Sequence, residues 1–130
     1  MKNISAGISG TAEITVSENE LAVTVGSGSL EVFATPCMVA LMEKSACNCL
    51  SGYIADDFTT VGTEINVRHL SATPKGMKVT ATATLTEVNG KEFVFSVKAF
   101  DEAGLIGEGV HKRFCVNSEI FTQKTYSKIK

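Results

Sequence analysis

The chain has 130 residues, is 44% hydrophobic and 20% charged, and carries a formal net charge of -2. That balance suits one folded domain with a real core and excludes a disordered chain. There is no basic footprint for nucleic acid, no apolar run near the roughly 18 residues of a membrane span, and no signal-peptide core in MKNISAGISG. A cytoplasmic location follows as the default expectation.

Residues 1–9 read as an uncommitted lead-in. Ala12, Ile14 and Val16 alternate with Thr11, Glu13 and Thr15, the period of a half-buried strand. Asn19 is a turn residue, and Ala22 to Val25 reads as a short return strand. Gly26-Ser27-Gly28-Ser29 is either a plain linker or a mobile lid over the segment that follows.

Val32 to Gly52 reads as one buried helix. Thr35 suits the N-cap, Pro36 the first helical position and Gly52 the stop. Cys37 to Met42 is apolar without a break, which predicts burial on all sides. An acidic loop follows around Asp56 and Asp57. Val61, Thr63, Ile65, Val67 and His69 then alternate with Gly62, Glu64, Asn66 and Arg68, predicting a strand with the first set inward.

Thr73-Pro74-Lys75-Gly76 is a turn. Met77, Val79, Ala81, Ala83 and Leu85 mark the clearest strand, and Asn89-Gly90 is a strong hairpin signal. Lys91 to Phe100 returns with Phe93, Phe95, Val97 and Ala99 on one face. Leu105 to Val116 forms the last strand, after which Ser118 caps a short helix and the Lys-rich end frays. Only one helix is long and apolar enough to cover this sheet. The expected fold is α+β, an antiparallel sheet wrapped around one long central helix, in a single domain over 1–130.

Few residues along this plan carry chemistry. Glu43 adjoins the apolar run, where a carboxylate is costly to desolvate and should be paired, protonated or at work. His69 falls on the inward face, as a base, an electrophile or a histidine satisfied by a backbone carbonyl. Thr35 offers a hydroxyl at a positive helix end, where the N–H groups of Cys37 or Met38 are the expected donors to an oxyanion. Thr35 and Glu43 lie roughly 12 Å apart along a regular helix, too far for a direct bond, so they flank a substrate or a second subunit completes the site.

The four cysteines, Cys37, Cys47, Cys49 and Cys115, form no CxxC pair and read as packing residues, with Cys37 the best thiol candidate. No metal-ligand spacing or phosphate loop is present. The glycines of GLIGEG, Gly104 to Gly109, lie in a strand pattern, where they mark a close approach or a bulge. His111 shares a face with Gly107, Gly109 and Arg113 and receives no role.

VFATPCMVALME (Val32 to Glu43) with VGTEINVRHLSATPKG (Val61 to Gly76) resembles the fluoroacetyl-CoA thioesterase-like branch of the hot-dog superfamily. The resemblance extends through the hairpin and GEGVHKRFCVNSEIF. It implies the hot-dog fold, with Thr35, Glu43 and His69 as the catalytic set. It also implies substrate contact at Gly62 and Arg113. One departure is clear: GSGSL (Gly26 to Leu30) stands where the fluoroacetyl-specific enzyme carries gate phenylalanines.

The resemblance therefore implies an acyl-CoA thioesterase acting on a short acyl chain, with coenzyme A entering only as part of the substrate and no cofactor. A homodimer or homotetramer is implied because a curled sheet leaves its edges unpaired. A non-catalytic acyl-CoA binding module and a hot-dog hydroxyacyl-thioester dehydratase are the alternatives.

Overall fold

The structure, a computed structural model, describes residues 3–129. Met1, Lys2 and Lys130, the outer parts of the expected lead-in and tail, lie outside them. Five antiparallel strands form one sheet: β1 (Ser9–Thr15), β2 (Phe58–His69), β3 (Lys78–Asn89), β4 (Glu92–Asp101) and β5 (Gly104–Asn117), in the spatial order β1-β3-β4-β5-β2. Three α-helices and a short 3-10 helix (Glu18–Glu20) accompany it among the described residues, the α-helices being α1 (Ala22–Val25), α2 (Thr35–Leu50) and α3 (Ser118–Tyr126).

The alternating patterns of β3 and β4 translate directly into the core. Val79, Ala81, Ala83 and Leu85 meet Phe93, Phe95, Val97 and Ala99, all at most 2% exposed. Small alanines on the face of β3 let α2 lie close. Met38, Leu41, Met42, Ser45, Ala46 and Cys49 form the buried face of α2, at helical spacing. The expected burial on all sides does not hold, because the sheet covers one side only; Ala40, Lys44, Cys47 and Asn48 are exposed.

The helix start also differs from expectation. Ala34 is the N-cap and Thr35 the first helical residue, with no side-chain cap. The Thr35 hydroxyl is engaged elsewhere, by His69. The helix ends at Leu50 with Ser51 as C-cap, so Gly52 (φ +84°) falls in the following turn.

Ala22–Val25 is a helical turn, not a strand. A four-residue apolar run has too little period to decide. The decision comes from its flanks: Ser17 and Glu20 form a capping box before it, and Gly26, at φ +81°, closes it with its N–H on Ala22 O. At the other end of the chain, Asn117 rather than Ser118 caps α3, accepting from Ile120 N at 3.0 Å. That helix runs to Tyr126 and takes in Lys124, and Lys128 follows it in a turn.

The most consequential difference is a bulge in β2. Gly62 pairs with Arg113 and Glu64 with Lys112, leaving Thr63 as an extra residue. One extra residue moves every side chain before it to the other face. Thr60 and Gly62 therefore face inward with Ile65, Val67 and His69. Val61 and Thr63, expected inward, do not. On β5 the glycines mark a close approach, as their position suggested: a Cβ on Gly107 would stand 2.5 Å from Met38 Sδ.

Gly10 on β1 is a still tighter contact. A Cβ there would overlap the Cys49 backbone and lie 2.7 Å from Ser45 O. Backbone cannot yield as a side-chain tip can, so Gly10→Ala is expected to destabilise by about 1–3 kcal/mol. Gly28→Ala meets only Ala22 Cβ, at 3.5 Å, and should change nothing. Denaturant midpoints of the two variants check this; a Gly10→Ala protein as stable as wild type would contradict the packing.

Candidate active site

The start of α2 and the end of β2 converge. Pro36 fixes the first turn, and β2 finishes at His69 beside it. Thr35 Oγ1 and His69 Nδ1 lie 2.7 Å apart, a hydrogen bond between side chains 34 residues apart in sequence. His69 is half-buried, and its Nε2 is buried without a partner among the described residues. Burial pushes the His69 pKa below the usual 6.5, opposed only in part by the Ser71 backbone. The ring is therefore neutral near pH 7.

The pair opens into a cavity of about 280 Å³ lined by Ser27, Phe33, Thr35, His69 and Ala72, among others. The glycine-serine segment thus borders this cavity. Ser27 occupies a wall where an aromatic gate would need a large ring.

The expected oxyanion donors are not free. Cys37 N and Met38 N both bond Ala34 O, each at 3.0 Å, because the first turn closes back on its cap. Met38 is buried against β5, and Cys37 lines a different groove with Glu20 and Lys44. Burial, then the Glu20 charge, pushes the Cys37 thiol up, against a role as thiolate.

Glu43 belongs to a second cluster. Two turns along α2 from Thr35, it meets β2 and β5 at Gly62, His111 and Arg113. Its side chain is 41% exposed, so the carboxylate is not sealed within the apolar run. It pairs instead with a cation: Arg113 Nη1 stands 3.5 Å from Glu43 Oε2.

Arg113 is the buried partner, 7% exposed. Its Nε donates to Thr60 Oγ1 at 2.9 Å and its Nη2 to Thr60 O at 3.0 Å. Nη1 also donates to His111 Nε2 at 3.1 Å. Gly62 makes room for the carboxylate, since a Cβ there would stand 2.7 Å from Glu43 Oε2. The β2 bulge, immediately after Gly62, is what turns Thr60 and Gly62 toward this cluster. Both His111 and Thr60 escaped the sequence reading. The inward face of β5 carried the signal for His111, and Gly62, a glycine inside a strand pattern, was the signal for the bulge that places Thr60.

Within one chain the structure joins Thr35 to His69, and Glu43 to Gly62 and Arg113, but does not join the two sets. Seven residues separate Gly62 from His69 along β2, roughly 20 Å of strand. Glu43, Gly62 and His111 line their own cavity, of about 210 Å³. Among the described residues no three His, Cys, Asp or Glu side chains converge as a metal site.

The chain's two histidines, His69 and His111, both sit below the usual 6.5, burial being the largest cause for each. The folded state therefore resists protons that the unfolded chain accepts. Stability from both is full above about pH 6.5 and is lost as pH falls through that value toward the lower folded pKa values. The melting temperature should be level between about pH 7 and 8 and decline from about pH 6.5 to 5.5. A melting temperature that rises on acidification over that range would contradict the burial of the two rings.

Similarity to known proteins follows the same lines. The family model described as fluoroacetyl-CoA-specific thioesterase (FlK) matches residues 16–119. A fluoroacetyl-CoA thioesterase of Streptantibioticus cattleyicolor is 40% identical over 98 residues, 75% of this chain and 70% of that protein. A mutant of the fluoroacetyl-CoA thioesterase FlK, solved in complex with acetyl-CoA, superposes with a TM-score of 0.92 at 32% identity, over 98% of this chain and 100% of that one. A hot-dog-like protein from Thermanaerovibrio acidaminovorans gives a TM-score of 0.87 at 26% identity, over 98% and 94% of the two chains. The sheet curled against α2 is therefore the hot-dog fold, the thioester-hydrolase reading of the sequence stands, and the chain belongs to the fluoroacetyl-CoA-specific thioesterase family.

Proposed function

We propose that the protein is a cytoplasmic hydrolase of short acyl-CoA thioesters whose site is completed by a second subunit. Thr35 and His69 come from one protomer, and Glu43 comes from its partner. The observation that carries this is the separation of the two clusters within one chain, toward opposite ends of a free edge strand.

That edge is β2. It is hydrogen-bonded to β5 alone and runs for 12 residues, against 7 for the opposite edge β1. A long unpaired edge favours a strand from a second copy, and a two-fold axis is the simplest way to supply one. Antiparallel self-pairing centred on Asn66, with Thr63 left out of the ladder as the bulge residue, sets His69 beside Gly62 of the partner subunit. Glu43 of the partner subunit, which packs on that glycine, then comes within reach of the Thr35–His69 cavity.

The chemistry divides between the two halves. Neutral His69 and the Thr35 hydroxyl hold the thioester carbonyl and relay a proton. The partner subunit's Glu43 supplies the basic oxygen, as general base toward water or as nucleophile through an anhydride. An oxygen–carbon bond forms, the carbon–sulfur bond breaks, and coenzyme A leaves as the thiol with the proton. His69 Nε2, buried and unpartnered, is costly as it stands and gains a partner in the loaded site. No cofactor is required. At the mouth, Gly26 to Leu30 leaves room where the fluoroacetyl-specific relatives place aromatic rings, so acetyl and fluoroacetyl groups should be handled alike.

Thiol release from a panel of acetyl-, fluoroacetyl-, propionyl- and butyryl-CoA tests both points. Wild type should free CoA from the short members with little preference for fluoroacetyl over acetyl. Glu43→Gln should lower kcat by about 10²-fold or more, on the scale of general-base loss. The Thr60 and His111 bonds still hold Arg113, so the variant should fold. A hydroxyacyl-thioester dehydratase or a sequestering module would free no thiol, and near-normal turnover by Glu43→Gln would remove Glu43 from the chemistry.

A further inference from the structure

His111 is the most deeply buried titratable side chain beside the Glu43 cluster, at 1% exposure, and the mechanism above gives it no task. Its surroundings define its protonation state. Nδ1 lies 2.8 Å from Glu64 O, and a carbonyl oxygen can only accept, so Nδ1 carries the proton. Nε2 lies 3.1 Å from Arg113 Nη1, and a guanidinium can only donate, so Nε2 accepts. The two bonds are compatible with one form alone, the neutral ring protonated at Nδ1. A second proton would sit on Nε2, facing a guanidinium. Phe95 backs the ring, with centroids 6.1 Å apart and planes 28° from parallel.

We propose that His111 is a positioning residue: its Nε2 holds the Arg113 guanidinium at the angle from which Nη1 meets Glu43. The Arg113 fork has three other commitments. Two go to Thr60, which fixes Nε and Nη2 from one side. The guanidinium is planar and rigid, so the freedom left to it is a tilt about the edge that Thr60 holds, and His111 stops that tilt at Nη1. Without that acceptor the 3.5 Å contact to Glu43 loses its direction, although the charge remains buried nearby. His111 touches neither substrate nor reacting atoms; it acts through Arg113 on the carboxylate. The β2 bulge belongs to the same device. It brings Gly62 and Glu64 onto successive β5 partners, so Glu64 O reaches His111 Nδ1 while Gly62 clears space for Glu43.

This inference rests on the role of Glu43 proposed above, and its test separates the two. The variants are His111→Phe, which keeps a ring against Phe95 but removes the acceptor, and His111→Gln, whose amide oxygen can accept from Arg113. Acetyl-CoA turnover is measured for each, alone and with Glu43→Gln. His111→Phe should lower kcat about tenfold with KM changed less than about twofold, the loss expected of one directed hydrogen bond. His111→Gln should recover to within about threefold of wild type. In the Glu43→Gln background, His111→Phe should cost almost nothing more, because both act through one group.

Nitrogen NMR of the imidazole in the wild-type protein should show His111 neutral and protonated at Nδ1. A ring protonated at Nε2 overturns the proposal whatever the variants do, including the case in which His111→Phe does not fold. Wild-type turnover by His111→Phe overturns it as well. Equal losses in His111→Phe and His111→Gln that track the melting temperature leave only a packing role and also overturn it. If Glu43→Gln itself is near normal, it is the function of Glu43 that fails, and this is read from that single variant.

Discussion

A guanidinium out of water is the constraint around which this end of the molecule is built. Arg113 keeps only 7% of its surface exposed, and such a charge persists only where its donors are met and a counter-charge is near. Thr60 meets two of its nitrogens, His111 the third, and Glu43 supplies the charge. Each partner imposes a local rule on the backbone that carries it. The strand must bulge so that Thr60 turns inward, residue 62 must be glycine so that a carboxylate fits, and β5 must present residues 111 and 113 on the same face. Glu43, beside an apolar helical run, faces this cation at 3.5 Å.

The opposite end of β2 is built differently. There the helix start and the strand end meet through one short bond between neutral groups, Thr35 and His69. Burial keeps the imidazole neutral, and among the described residues no carboxylate forms an ion pair with it. One chain thus carries a cationic, carboxylate-bearing cluster and a neutral hydroxyl–imidazole cluster, at either end of a free strand edge. Ser27, from the glycine-serine segment, lines the cavity of the second cluster beside Phe33 and Leu70.

Much of this was legible from residues alone where a pattern repeated. The alternation in β3 and β4, the Asn89-Gly90 turn, with Gly90 at φ +64°, and the apolar run of α2 each translate into one local structure. The grouping of Thr35, Glu43 and His69 as one set was what the resemblance implied, and within one chain only Thr35 and His69 meet. What escaped was whatever depends on one residue's offset. A single extra residue at Thr63 reversed the inward assignment of Val61 and Thr63, and a glycine in a strand pattern, here Gly62, marks a close approach or a bulge without deciding between them. Thr35 looked like a cap because threonine usually caps. Here the hydroxyl has a better partner 34 residues away, which local reasoning cannot see. His111 had the inward register but no visible partner until β2 supplied Glu64 O.

The claim on which the functional account turns is that one active site draws on two chains. Glu43→Gln and His69→Ala chains, carrying different tags and expressed together, give a mixed dimer that can be purified and assayed for CoA release. If Thr35 and His69 of one chain work with Glu43 of the other, one of the two sites in that dimer is intact, and turnover should return to about half that of wild type. If each chain holds its whole site, both sites in the mixed dimer are damaged. Its activity would then be no higher than the mean of the two mutant homodimers, a result that would contradict the shared site.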